Sequence, residues 1–121
     1  MKLKNVGVSG SVCNLGTYEL HEEILKLTRE NGGCSINSKR EKPTNGYMVG
    51  VKPFGTNLIE MLNYELEENE YYGSWINPYS EEMEFDISIN VDDLDEAIEI
   101  GKKYNQISIY DLDNDCSIYL K

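Results

Sequence analysis

Tyr71-Tyr72-Gly73-Ser74-Trp75-Ile76-Asn77, a short polar turn, and then Met83-Glu84-Phe85-Asp86-Ile87-Ser88-Ile89-Asn90-Val91 make up the stretch on which the fold depends. Its second half alternates strictly. Phe85, Ile87, Ile89 and Val91 share one parity, and Glu84, Asp86, Ser88 and Asn90 the other, which is the period of a half-buried strand. The first half is aromatic and holds the only tryptophan, with Gly73 and Ser74 leaving space beside it. Pro78, Ser80 and the two glutamates that follow mark the turn joining two antiparallel strands.

Upstream of this hairpin the pattern changes to a helical period. Thr17 is placed as an N-cap, and Leu20, Ile24 and Leu27 fall at i, i+4 and i+7, predicting an amphipathic helix of about four turns. Gly32-Gly33 stops it. Cys34 to Ser38 reads as a short strand, and Tyr47 to Lys52 as a strand antiparallel to it across a polar loop that ends in Asn45-Gly46. Pro53-Phe54-Gly55 is expected to break that strand. Thr56 or Asn57 then caps a second helix, with Glu65, Glu67, Glu68 and Glu70 crowding its C-terminal end.

Downstream, Asp92 or Asp93 caps a third helix running to about Lys103, with Leu94, Ala97 and Ile98 as its apolar stripe and Gly101 permitting close packing. Gln106–Tyr110 and Cys116–Leu120 alternate as a final hairpin. The expected fold is α+β: one mostly antiparallel sheet of five to six strands with three helices on one face, in a single domain over residues 1–121. Residues 1–16 are expected to form a flexible or interface arm, with residues 3–13 as a possible edge strand.

Composition narrows the function. The formal charge is −11, from 22 acidic against 11 basic residues, so the chain repels nucleic-acid backbone and anionic membrane surface. Such a surface serves solubility, or it imitates DNA and occupies a basic groove on a partner. The three cysteines, Cys13, Cys34 and Cys116, are odd in number and contain no CxxC, which points to reduced thiols in a cytoplasm. The N-terminus lacks the apolar core of a signal peptide, and no apolar run approaches the ~18 residues of a membrane span.

No catalytic or metal pattern emerges. His21 is the only histidine and has no second histidine four residues on, so HExxH is absent. Asp111, Asp113 and Asp115 resemble the start of a calcium loop without its glycine or distal glutamate, and a hairpin turn accounts for them better. Gly7-x-x-Gly10 is too short for a phosphate loop, and Ser9, Ser11 and Cys34 lack an activating base. No cofactor is implied, and the expectation is a non-enzymatic binding protein. Tyr71, Tyr72, Trp75, Tyr79 and Phe85 surround the hairpin, with amides at Asn77, Asn90, Asn105 and Gln106. Flat rings with amides suit either an aromatic core or a planar heterocycle. Lys39, Arg40, Lys42 and Lys52 make the most basic spot, a solvated loop or a local anion site.

Asn31-Gly32-Gly33 with Cys34-Ser35, Pro43-Thr44-x-Gly46-Tyr47-Met48-Val49, Gly73-x-Trp75, Asp86-Ile87-Ser88, Val91-x-Asp93, Ala97, Gly101 and Asn105-Gln106-x-x-Ile109-x-Asp111-Leu112 form an ordered set over residues 31–112. The set resembles a group of small phage and prophage proteins, and within it looks like the Thoeris anti-defence sponges, which sequester cyclic ADP-ribose isomers. The resemblance implies capture of a cyclic nucleotide without turnover, by a homo-oligomer in the host cell cytoplasm, for immune evasion. It implies adenine stacking on Trp75 and Phe85. The other residues around the hairpin would complete such a site, with Tyr71 beside the rings and Asn90, Asn105 or Gln106 reading polar edges. Family pockets use arginines against the phosphates. Only Arg29 and Arg40 are present, so Lys52, Lys102 or Lys103 would have to substitute as point charges. The alternative is an acidic DNA mimic, an anti-CRISPR or anti-restriction inhibitor, using Glu65 to Glu70 and Asp92 to Glu96. A third option is an interaction module with no ligand.

Overall fold

The central hairpin forms as the alternation requires. In a computed structural model describing residues 15–121, β3 (Glu70–Ile76) and β4 (Met83–Val91) pair antiparallel, with Trp75 opposite Glu84, Gly73 opposite Asp86 and Tyr71 opposite Ser88. The expected arm lies outside the described residues, apart from its last two. Around the hairpin stand α1 (Leu15–Asn31), β1 (Gly33–Ile36), β2 (Tyr47–Gly55) and α2 (Leu58–Leu62). After it come α3 (Leu94–Lys103), β5 (Ser108–Asp111) and β6 (Cys116–Tyr119). The strands make one antiparallel sheet, ordered β1-β3-β4-β2-β5-β6 and curled into a half-barrel. The fold is α+β, with three helices and six strands.

All three helices cover the face that carries Phe85, Ile87 and Val91. Leu20, Ile24 and Leu27 of α1 and Leu58, Met61 and Leu62 of α2 pack on Ile36, Tyr72, Phe85 and Ile87. A smaller cluster joins Ala97 of α3 to Val49, Val91 and Ile109. Gly101 lets α3 lie close, because a Cβ there would stand 2.6 Å from Leu120 Cδ1 and 3.0 Å from Ile109 Cγ2. Burial of these aliphatic side chains, each contributing roughly 1.5–3 kcal/mol, is the main cohesive force.

One polar chain crosses the larger core. Thr28 Oγ1 donates to the Ile24 carbonyl at 2.6 Å, so its 2.5 Å contact with Ser74 Oγ takes the Ser74 proton. Ser74 Oγ in turn lies 3.2 Å from Cys34 Sγ, which leaves the thiol as donor. A single direction of donation therefore ties β1 and β3 to a backbone carbonyl of α1. Burial pushes the Cys34 thiol above its ordinary value, opposed by these hydroxyls.

Several boundaries differ from expectation for local reasons. Thr17 lies inside α1, which starts at Leu15. The strand at Cys34 pairs with β3, not with β2, so the 37–46 loop spans two intervening strands. β2 runs through Pro53 to Gly55, with register irregularities after Gly50 and Pro53. Proline is tolerated there because β5 pairs with β2 only at Tyr47 and Met48, which leaves that edge of β2 without ladder bonds to lose. The second helix ends at Leu62, so Glu65 to Glu68 lie in the loop that leads to β3. Asn57 and Asp93 are the caps, accepting from Glu60 N at 3.0 Å and Glu96 N at 2.9 Å. Asp111 closes the β5–β6 turn, as expected, accepting from the backbone of Asp113 and Asn114. Its carboxyl is held below the usual range by the Asn114 amide and these backbone bonds. No helix among the described residues is long and apolar enough to cross a membrane.

Candidate functional site: the open face of the sheet

Strand parity sends a second set of side chains to the face without helices. β3 presents Tyr71, Gly73 and Trp75; β4 presents Glu84, Asp86, Ser88 and Asn90; β2 adds Met48 and Gly50. Gln106 reaches the same face from just before β5. A Cβ built on Gly73 would collide with Asp86 Oδ1 and lie 3.2 Å from Ser88 Oγ. A Cβ on Gly50 would stand 2.6 Å from Asp86 Oδ2 and 2.7 Å from Gln106 Oε1. The Asp86 carboxylate thus lies in a shallow recess across the bare backbones of two neighbouring strands. Glycine is what leaves room for it.

The recess collects acceptors. Asp86 makes no side-chain hydrogen bond among the described residues, and Ser88, only 4% exposed, has a buried Oγ without a partner. Gln106 Nε2 donates to the Tyr104 carbonyl at 3.3 Å, which turns its Oε1 toward the recess. Glu84, opposite Trp75, accepts from Asn77 Nδ2 at 3.1 Å. Although Asp86 keeps some exposed surface, its carboxyl is desolvated, and burial with the nearby Glu84 charge pushes it up to about 7.

The expected site residues divide between two faces. Trp75 and Tyr71 are half-buried on the open face, with Gln106 and Asn90. Asn90 is engaged, donating to the Asn45 carbonyl at 2.9 Å and lying 3.3 Å from Met48 Sδ. Phe85, expected beside Trp75, lies on the opposite face. It is 4% exposed in the helix-side core, so it and Trp75 do not stack on one guest. Phe85 edges a shallow cleft of about 410 Å³ with His21, Leu25 and Leu58, which gathers no cation. His21 itself meets Glu22 at 3.1 Å.

Nor do the expected cations gather beside Trp75. Arg40 pairs with Glu19 of α1 at 2.8 Å, and Arg29 is exposed in the last turn of α1. Lys52 lies over the Phe54 and Tyr64 rings, 5.7 and 5.9 Å from their centroids. Lys102 and Lys103 end α3, with Lys103 over Tyr104, and Asn105 occupies a positive-φ turn just beyond. The directly paired neighbours of Trp75 are Gly33 and Glu84.

A second feature is electrostatic. The C-terminal ends of β4 and β5 and the N-terminal ends of β2, β3 and β6 meet at one end of the sheet. Glu65, Glu67 and Glu68 of the α2–β3 loop lead to Glu70 at the start of β3, Asp92, Asp93 and Asp95 flank the start of α3, and Asp111, Asp113 and Asp115 frame the β5–β6 turn. Two tyrosines register the charges nearest them: Tyr47 is raised by burial and by Asp111, Asp113 and Asp93. Tyr64 is raised by its bond to Glu70, by burial and by the Glu67 charge.

Gly73 and Gly50, each inside an expected strand, were the sequence signals available for the recess, since a strand glycine marks a close approach. Nothing in the sequence signalled Ser88 as a further contributor. Comparison of the chain with protein-family models, with curated proteins and with solved structures returned no match.

Proposed function

We propose that this chain is a non-enzymatic binding protein that engages a basic surface of a partner protein, in the manner of an acidic nucleic-acid mimic. The observation that carries this is the acidic end of the sheet, where carboxylates from three separate chain segments converge. Converging like charges cost stability, and that cost is offset when a basic partner arrives.

The reading is tested by displacement. The protein is added to a restriction or Cas effector bound to a labelled DNA duplex, and fluorescence anisotropy follows release of the duplex. Release that fades between low and high salt, and is lost in a Glu68→Lys, Asp92→Lys, Asp95→Lys variant, is the expected result. Release that is indifferent to salt and to charge reversal would sink it.

Sequestration of a cyclic nucleotide draws on the family resemblance and on the half-exposed Trp75 ring. A base stacked there would set its phosphates against Glu84 and Asp86, which repel them. Calorimetric titration with cyclic ADP-ribose isomers is therefore expected to give no heat; micromolar binding lost on Trp75→Ala would restore the sponge reading.

A further inference from the structure

We infer that the recess between Gly73 and Gly50 is a receptor for a guanidinium group, with Asp86 as its counter-ion, Ser88 and Gln106 as further acceptors, and Tyr71 and Trp75 flanking it. This deepens the binding reading above and rests on it, by naming an anchor on the open face of the sheet.

The first argument is an imbalance of donors and acceptors. Asp86 Oδ1 and Ser88 Oγ both approach the point above Gly73, and Asp86 Oδ2 and Gln106 Oε1 both approach the point above Gly50. Among the described residues no donor answers the two carboxylate oxygens, and the Ser88 hydroxyl has no partner although it is buried. A buried polar atom left in this way is costly, and native proteins rarely leave one without a reason. A guest rich in N–H groups supplies what is missing.

The second argument is charge and shape. Glu84 adds a second carboxylate beside the recess, so the guest must be cationic. Along β3, Tyr71 and Trp75 stand two residues to either side of Gly73 on the same face, roughly 7 Å away by strand geometry. Aromatic faces attract a cation, and a planar guanidinium bonds a carboxylate in bidentate fashion while lying against a ring. A lysine ammonium satisfies the charge but not the fork. A metal ion is a poor alternative, since among the described residues no three His, Cys, Asp or Glu side chains stand close enough together to hold one.

The test uses Trp75, the only tryptophan, as reporter. Emission and calorimetry follow titration of the full chain with N-acetyl-arginine amide, with the lysine and citrulline counterparts, with free arginine and with Gly-Arg-Gly peptide. Arginine forms are expected to bind in about the millimolar range, lysine several-fold more weakly, and neutral citrulline not at all. Asp86→Asn is expected to weaken arginine binding about tenfold, and Ser88→Ala about two- to fivefold. Tighter binding of the peptide assigns the guest to a partner's arginine, and tighter binding of free arginine assigns it to a small molecule. No response to any arginine form, an equal response to citrulline, or full binding by a folded Asp86→Asn protein would overturn the assignment. Should that variant not fold, Ser88→Ala carries the same test. Arginine binding absent while DNA displacement persists removes this anchor alone; loss of displacement as well removes the reading beneath it.

Discussion

At the scale of single residues, Asp86 is the group whose placement is least expected of a folding chain. A carboxyl raised to about 7 from 3.8 binds its proton more firmly folded than unfolded. Its contribution is therefore fully present below pH ~4 and is lost as pH rises through about 7, because the unfolded chain ionises first. Urea denaturation at intervals from pH 4 to 8 should show Asp86→Asn gaining on the wild type across that window, by on the order of 2 kcal/mol once partial exposure is allowed for. A constant difference at every pH would mean that Asp86 is not desolvated. Gly73→Ala makes the complementary prediction. Its Cβ meets Asp86 Oδ1, so the substitution should cost roughly 1–3 kcal/mol, and Asp86→Ala in the same chain should recover most of that loss. Additive losses in the double variant would place the carboxylate elsewhere.

Between elements, the chain from Cys34 through Ser74 and Thr28 to the Ile24 carbonyl is what couples α1 to the first two strands. Thr28→Val keeps the volume and strands the Ser74 proton, so chemical denaturation should show a loss of about 1–2 kcal/mol. Adding Ser74→Ala should cost less than the sum of the two single changes, since the second removes the group that the first left unpaired. Elements like these were legible in the sequence to different degrees. The β3–β4 hairpin declared itself because its period of two is enforced by burial of Phe85 and Ile87, and α1 because Leu20, Ile24 and Leu27 share one stripe. Pairing partners were not legible. β1 lies beside β3 through contacts 36 to 42 residues distant in sequence, which no local pattern encodes. Pro53 misled for the same reason, since only the absence of a β5 neighbour makes a strand tolerable there. The site followed suit: Trp75 was visible as a lone indole, whereas the recess beside it needs three strands in register. Phe85 read as a stacking partner until parity placed it on the buried face.

Across the whole molecule the same charge acts on two equilibria with opposite sign. A net −11 with carboxylates gathered at one end of the sheet opposes compaction, so adding salt should stabilise the isolated protein. Between about 20 and 500 mM sodium chloride the thermal midpoint should rise by roughly 4 °C, the shift that ~1 kcal/mol produces in a domain of this size. In the Glu68→Lys, Asp92→Lys, Asp95→Lys variant the rise should shrink, because part of the repulsion is already gone. Association with a basic partner runs the other way, since salt screens the attraction that drives it. The two measurements together separate a functional acidic surface from a merely soluble one. If the carboxylates serve solubility alone, charge reversal alters the salt response of folding and leaves no partner whose binding it weakens. If they form an interface, the substitutions that stabilise the free chain at low salt are the ones that abolish displacement of DNA. An interface of this kind trades stability of the unbound chain for attraction to its partner, and that anticorrelation is the expected outcome.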